Sequence, residues 1–69
     1  MYARILRNAD RTRRFSINLE SSGGWEVRDE QDDRVTRRVH YTDWHRVERA
    51  RRAFALEALT LRDAGWIDA

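Results

Sequence analysis

Apolar and polar residues alternate strictly between positions 14 and 20. Phe15, Ile17 and Leu19 point to one side, and Arg14, Ser16, Asn18 and Glu20 to the other. A repeat of two is that of a strand with one buried face. Three further segments read the same way. Residues 2–7 carry Ile5 and Leu6, and Asn8-Ala9-Asp10-Arg11 supplies a turn after them. The paired glycines of Ser21-Ser22-Gly23-Gly24 give the positive φ that a tight reversal needs. Beyond them Trp25 and Val27 share a face opposite Glu26 and Arg28, and Gln31-Asp32-Asp33 makes the next turn. In residues 34–41, Val35, Val39 and Tyr41 fall on one side. Alternation puts Arg37 on that same side, where it must snorkel past a sheet edge or lie over an aromatic ring.

From Thr42 onward the period lengthens to that of a helix. Thr42 reads as the N-cap, with Asp43 in the first turn where the helix dipole favours a carboxylate. Val47, Ala50, Phe54, Ala58 and Leu61 form one core-facing stripe. Trp44 stands at its margin, placed to cover the helix–sheet seam. With Gly65 as the left-handed C′ residue, Trp66 becomes C″ and Leu61 becomes C3, the apolar pair of a Schellman cap. Leu56 and Leu59 lie off the stripe, so they are candidates for an interface.

These elements predict an α+β fold: a three- to four-stranded antiparallel β-meander followed by one C-terminal α-helix packed on one sheet face. Residues 1–69 form a single domain, with strands at about 2–7, 13–20, 25–30 and 34–41 and the helix at about 43–64. The predicted core is Phe15, Ile17, Leu19, Trp25, Val27, Val35, Val39, Val47, Phe54 and Leu61.

Composition sharpens the picture. A 69-residue chain has a thin stability margin, and without cysteine it has no disulfide or Cys-type zinc site to support it. Small unstapled domains often gain stability by associating. The first 20 residues carry five arginines and no apolar core of a signal peptide, so no secretory signal is expected. No apolar run is long enough to span a bilayer. The cytoplasm is the expected compartment.

All 14 basic residues are arginine, which is why a net charge of only +2 gives a pI near 9.9. The charge is segregated: residues 1–20 carry +3, 21–33 carry −4, 34–52 carry +5 and 53–69 carry −2. The strongest concentration is Arg34, Arg37, Arg38, Arg46, Arg49, Arg51 and Arg52, opposed only by Asp43 and Glu48. Arginine forks match phosphate oxygens, and counterion release favours their binding to nucleic acid. The candidate phosphate-binding residues are Arg34, Arg37, Arg38, Arg46, Arg49 and Arg52. The competing expectation is that these arginines form surface ion pairs with the acidic hairpin at 29–33.

Catalytic chemistry has no foothold in the sequence. Asp29, Glu30, Asp32 and Asp33 lack the spacing of a calcium loop and read as a solvated turn. His40 and His45 have no third metal ligand at a useful spacing. No nucleophile elbow, phosphate-cradling glycine loop or catalytic cysteine is present. No enzyme activity, metal or cofactor is expected.

From Trp25 onward the chain resembles the WGR domain of poly(ADP-ribose) polymerases and their bacterial relatives. The matching features are Trp25, the Ala50-x-x-x-Phe54 spacing and the closing Gly65-Trp66. Trp25 is followed here by Glu26-Val27-Arg28 where that family has Gly-Arg. The resemblance implies contact with a DNA end or with partner domains. Trp25-Glu26-Val27-Arg28-Asp29 and the alanine-rich helix are also similar to the plant ethylene-response type of DNA-binding domain. That family reads DNA with Arg and Trp on an exposed sheet face.

Two functions of different class follow as expectations. One is nucleic-acid or phosphate binding through the arginines of 34–52. The other is a protein-interaction or homodimerising module using Leu56, Leu59 and the outer helix face.

Overall fold

A computed structural model describes residues 2–69. Four strands run as an antiparallel meander: β1 (Tyr2–Asn8), β2 (Arg11–Leu19), β3 (Trp25–Gln31) and β4 (Arg34–Tyr41). The helix α1 (Trp44–Asp63) follows, and a two-residue strand β5 (Ile67–Asp68) ends the sheet. The strand order is β4-β3-β2-β1-β5, so β4 is one edge and β5 the other. The expected fold is the one adopted, with β5 as an addition.

Each reversal follows from local backbone chemistry. Asp32 and Asp33 both have positive φ, 51° and 66°, as a two-residue hairpin turn with the right twist requires. Asp32 also ties this turn to β2, its Oδ1 accepting from the Thr12 amide at 2.8 Å. In the β2–β3 loop Gly24 has φ +81°, and a Cβ there would meet the Tyr41 carbonyl oxygen at 2.7 Å. Only glycine satisfies both conditions.

The helix starts one residue later than its sequence suggests. Asp43, not Thr42, is the N-cap, its Oδ1 accepting from the His45 amide at 2.9 Å. The C-terminus is closed as expected. Trp66 donates its amide to Leu61 and Gly65 to Arg62, both at 3.0 Å, with Gly65 at φ +99°. This Schellman geometry turns the chain back onto β1, where Arg7 pairs with Ile67 and Leu6 with Asp68.

The core lies between α1 and the inner face of β1–β3. One cluster joins Leu6, Phe15, Ala58 and Trp66; the other joins Ile17, Val27 and Val47. Phe54 packs against both and stacks on Phe15 at 4.8 Å between ring centroids. Trp44 covers the seam by leaning on Trp25, with centroids 5.2 Å apart.

Two expected core residues are exposed. Val35 has 43% of its surface exposed because the register jumps from Asp29↔Arg37 to Glu30↔Val35. The extra residue, Thr36, forms a bulge that turns Val35 onto the outer face beside Glu30. Leu19 is 59% exposed at the end of β2, beyond Ile17, where the described pairing with β1 stops. Leu6, Ala58 and Trp66 fill the core instead.

Candidate phosphate-binding groove

Period-two alternation divides the arginines of β4 between the two sheet faces. Arg38 stands on the outer face in a row with Arg28, Ser16 and Ala3. Its Nε lies 3.3 Å from Glu26, which also accepts from Arg28 at 2.7 Å. Arg37 stands on the inner face in a row with Asp29, Phe15 and Arg4. It meets the helix side of the sheet at an edge strand, and among the described residues it lies over no aromatic ring. The bulge separates it from Val35 but leaves it beside Val39 and Tyr41.

Opposite this part of β4, the helix presents short or charged side chains in place of large apolar ones. Ala50 and Ala53 carry only a methyl group each, and Arg46 and Arg49 are exposed. A groove of about 400 Å³ therefore remains between α1 and β4. Val27, Val39, Tyr41 and Phe54 contribute to its apolar lining, with Arg37, Arg46 and Arg49 as its cations and Asp29 as its one acid.

The ion pairs decide what those cations can do. Asp29 is bonded to Arg13, with Nη2 3.3 and 3.1 Å from its two oxygens, and Arg13 also approaches Glu57 at 3.6 Å. Glu30 faces Arg14 at 3.9 Å. The acids of β3 are thus engaged by β2, by each other's neighbours on β3, or by Arg38. The expected pairing between the 29–33 acids and the 34–52 arginines is not found among the described residues. Arg37, Arg46 and Arg49 have no carboxylate partner there.

The six candidate arginines therefore do not form one patch. Arg37, Arg46 and Arg49 share the groove; Arg34 and Arg52 are exposed outside it; Arg38 belongs to the opposite face and is paired. Arg51 turns away, with its guanidinium 5.8 Å from the Tyr2 ring centroid. Asp29 was missed as a site residue because the run from 29 to 33 reads as one turn. The turn occupies only 32–33, and alternation from Trp25 and Val27 already puts Asp29 on their face.

The other candidates stand apart from the groove. Leu56 and Leu59 are on the outer side of α1, 66% and 56% exposed. His40 bonds through Nδ1 to Glu20 at 2.9 Å, and His45 is exposed in the first helical turn. No helix among the described residues is long and apolar enough to cross a membrane.

No protein-family profile, curated protein or solved structure matches this chain.

Proposed function

We propose that this chain is a small non-catalytic binding module that holds the phosphate backbone of a nucleic acid at the β4–α1 groove. The observation that supports this reading is the convergence of Arg37, Arg46 and Arg49 on one concave surface, with none of the three in an ion pair among the described residues and the one acid on the lining, Asp29, held by Arg13. An unpaired guanidinium offers a phosphate two parallel N–H bonds, and three on one groove fix the direction of a backbone as well as its charge. Arg34 and Arg52, exposed and outside the groove lining, add to the positive charge of the same elements. The resemblance to WGR domains, whose matching features include the groove residues Ala50 and Phe54, implies contact with a DNA end or with partner domains, and the first of these is the same class of ligand. The compartment on this reading is the cytoplasm.

Fluorescence anisotropy against short single and double strands tests it. Affinity should be micromolar at best, weakly sequence-selective and steeply salt-dependent. With about three phosphates engaged, log K should fall against log salt with a slope of about −2 to −3. Absence of binding to either form at low salt would overturn the proposal.

The exposure of Leu56 and Leu59, one helical turn apart, favours a second reading: self-association through the outer helix face. Light scattering across a concentration series tests it. A wild type that stays monomeric at millimolar concentration removes this reading.

A further inference from the structure

The groove holds more than phosphate contacts require. A phosphate needs the arginines alone, whereas the groove as a whole, about 400 Å³ and open to solvent, falls in the size range of pockets that hold small organic ligands. A duplex keeps its bases stacked inside and would lay its backbone across the arginines, leaving the apolar lining wet. A single strand can turn a base out of its stack, and an unstacked base has the flat apolar body that such a lining accepts. Tyr41 and Phe54, both half-buried on the lining, offer aromatic surface for it.

Asp29 gives that base an orientation. It is the one acid on the lining, and two contacts from Arg13 Nη2 fix it in place. An ionised carboxylate has about four acceptor sites, so each oxygen retains capacity for a further donor. A phosphate beside Asp29 would be repelled, which keeps the backbone at the arginines and leaves the carboxylate to N–H groups. Guanine presents two adjacent donors, N1–H and the N2 amino group, matching the two carboxylate oxygens. Adenine, cytosine and thymine or uracil offer no such neighbouring pair of donors on one edge.

We propose that the groove binds one unstacked guanine of a single-stranded nucleic acid, with Asp29 reading its donor edge and Arg37, Arg46 and Arg49 holding the adjoining phosphates. This deepens the phosphate-binding reading and rests on it.

The test uses the full chain at low salt with a labelled thymidine oligonucleotide carrying one central guanine. The comparison strands have an abasic site or a thymine at that position, and a duplex supplies the fourth ligand. The guanine strand should bind about 5- to 100-fold more tightly than the abasic strand with the same phosphates. Asp29→Asn should remove the preference for guanine over thymine, read as the ratio of the two affinities on the same variant, so that any change in phosphate binding common to both strands cancels. Because Asp29→Asn also breaks the contact with Arg13, Ala53→Trp provides an independent arm. It fills the groove from an exposed helix position, so the guanine strand should then bind no better than the abasic one. Equal affinity of wild type for guanine, thymine and abasic strands, or for duplex, would overturn the guanine site and leave phosphate binding intact. Failure of every nucleic acid, with binding of an oligoglutamate peptide in its place, would overturn both and assign the groove to an acidic protein segment.

Discussion

Asp29 and Arg37 are cross-strand partners on the inner face of the sheet, yet the Asp29 carboxylate is held by Arg13 from the other side. The side chains of Arg13 and Asp29 are only 11% and 20% exposed, and the Arg13 guanidinium also lies 5.0 Å from the Phe15 ring centroid. This arrangement leaves the Arg37 charge available. Arg13→Ala should destabilise the fold by about 1–3 kcal/mol in urea unfolding, because it strands a half-buried carboxylate. It should also weaken oligonucleotide binding, since the released Asp29 can turn to Arg37. Unchanged stability and unchanged affinity together would show that Arg13 does not control the groove.

Phe54 joins the two core clusters, whereas Leu56 is two residues along on the opposite side of α1. Phe54→Ala should cost about 3–5 kcal/mol, enough to unfold much of the population of so small a domain. Leu56→Ala should change stability by less than about 0.5 kcal/mol. Thermal unfolding of the two variants tests the helix register: similar effects would place the wrong face against the sheet.

The β3–β4 turn holds Asp33 at φ 66°, a conformation that glycine adopts more readily. Asp33→Gly should therefore stabilise the hairpin by about 0.5–1 kcal/mol. At Gly24 the opposite holds, since a Cβ would strike the Tyr41 carbonyl oxygen at 2.7 Å. Gly24→Ala should destabilise by at least about 1–2 kcal/mol. Chemical denaturation of both variants gives the signs directly, and a destabilised Asp33→Gly protein would contradict the turn geometry.

The last strand is tied down by Asp68. A hydrogen bond from Arg4 at 3.0 Å, with Arg62 adding its field, holds this carboxyl below its ordinary value of 3.8. A depressed carboxyl stabilises the fold above its unfolded value, and that stability is lost as pH falls through the folded one. Asp68→Asn should therefore be less stable than wild type at neutral pH, with the gap closing as pH drops below about 4. A gap that stays constant from neutral pH down to acid would rule out the Arg4–Asp68 linkage.

Features set by neighbours in sequence were legible before the structure. The Leu61–Gly65–Trp66 cap, the glycines at 23 and 24 and the stripe of Val47, Phe54 and Ala58 all follow from local rules. What the sequence hid is non-local. The bulge at Thr36 is a property of the β3–β4 pairing, and it reversed the face of Val35. Strand β5 is only two residues long and exists because the helix cap returns the chain to β1. Of the candidate site, Arg37, Arg46 and Arg49 were identifiable by type, but their isolation from carboxylates depends on Arg13 capturing Asp29 across strands. Arg38 could have been separated from Arg37 by alternation alone, which sends consecutive residues to opposite faces.

The central claim is that the groove, and not positive charge in general, binds the nucleic acid. A charge-matched pair of variants tests it most directly: Arg46→Gln with Arg49→Gln inside the groove, and Arg34→Gln with Arg52→Gln outside it. Both remove two exposed positive charges and should leave the fold intact. Affinity for a single-stranded oligonucleotide at one low salt concentration should fall at least about tenfold for the groove pair, corresponding to about 1.4 kcal/mol. The outer pair should lose no more than about threefold, as expected of screened charges beside the site. Equal losses for the two pairs would contradict the account, because binding would then follow net charge and the groove would have no part in it.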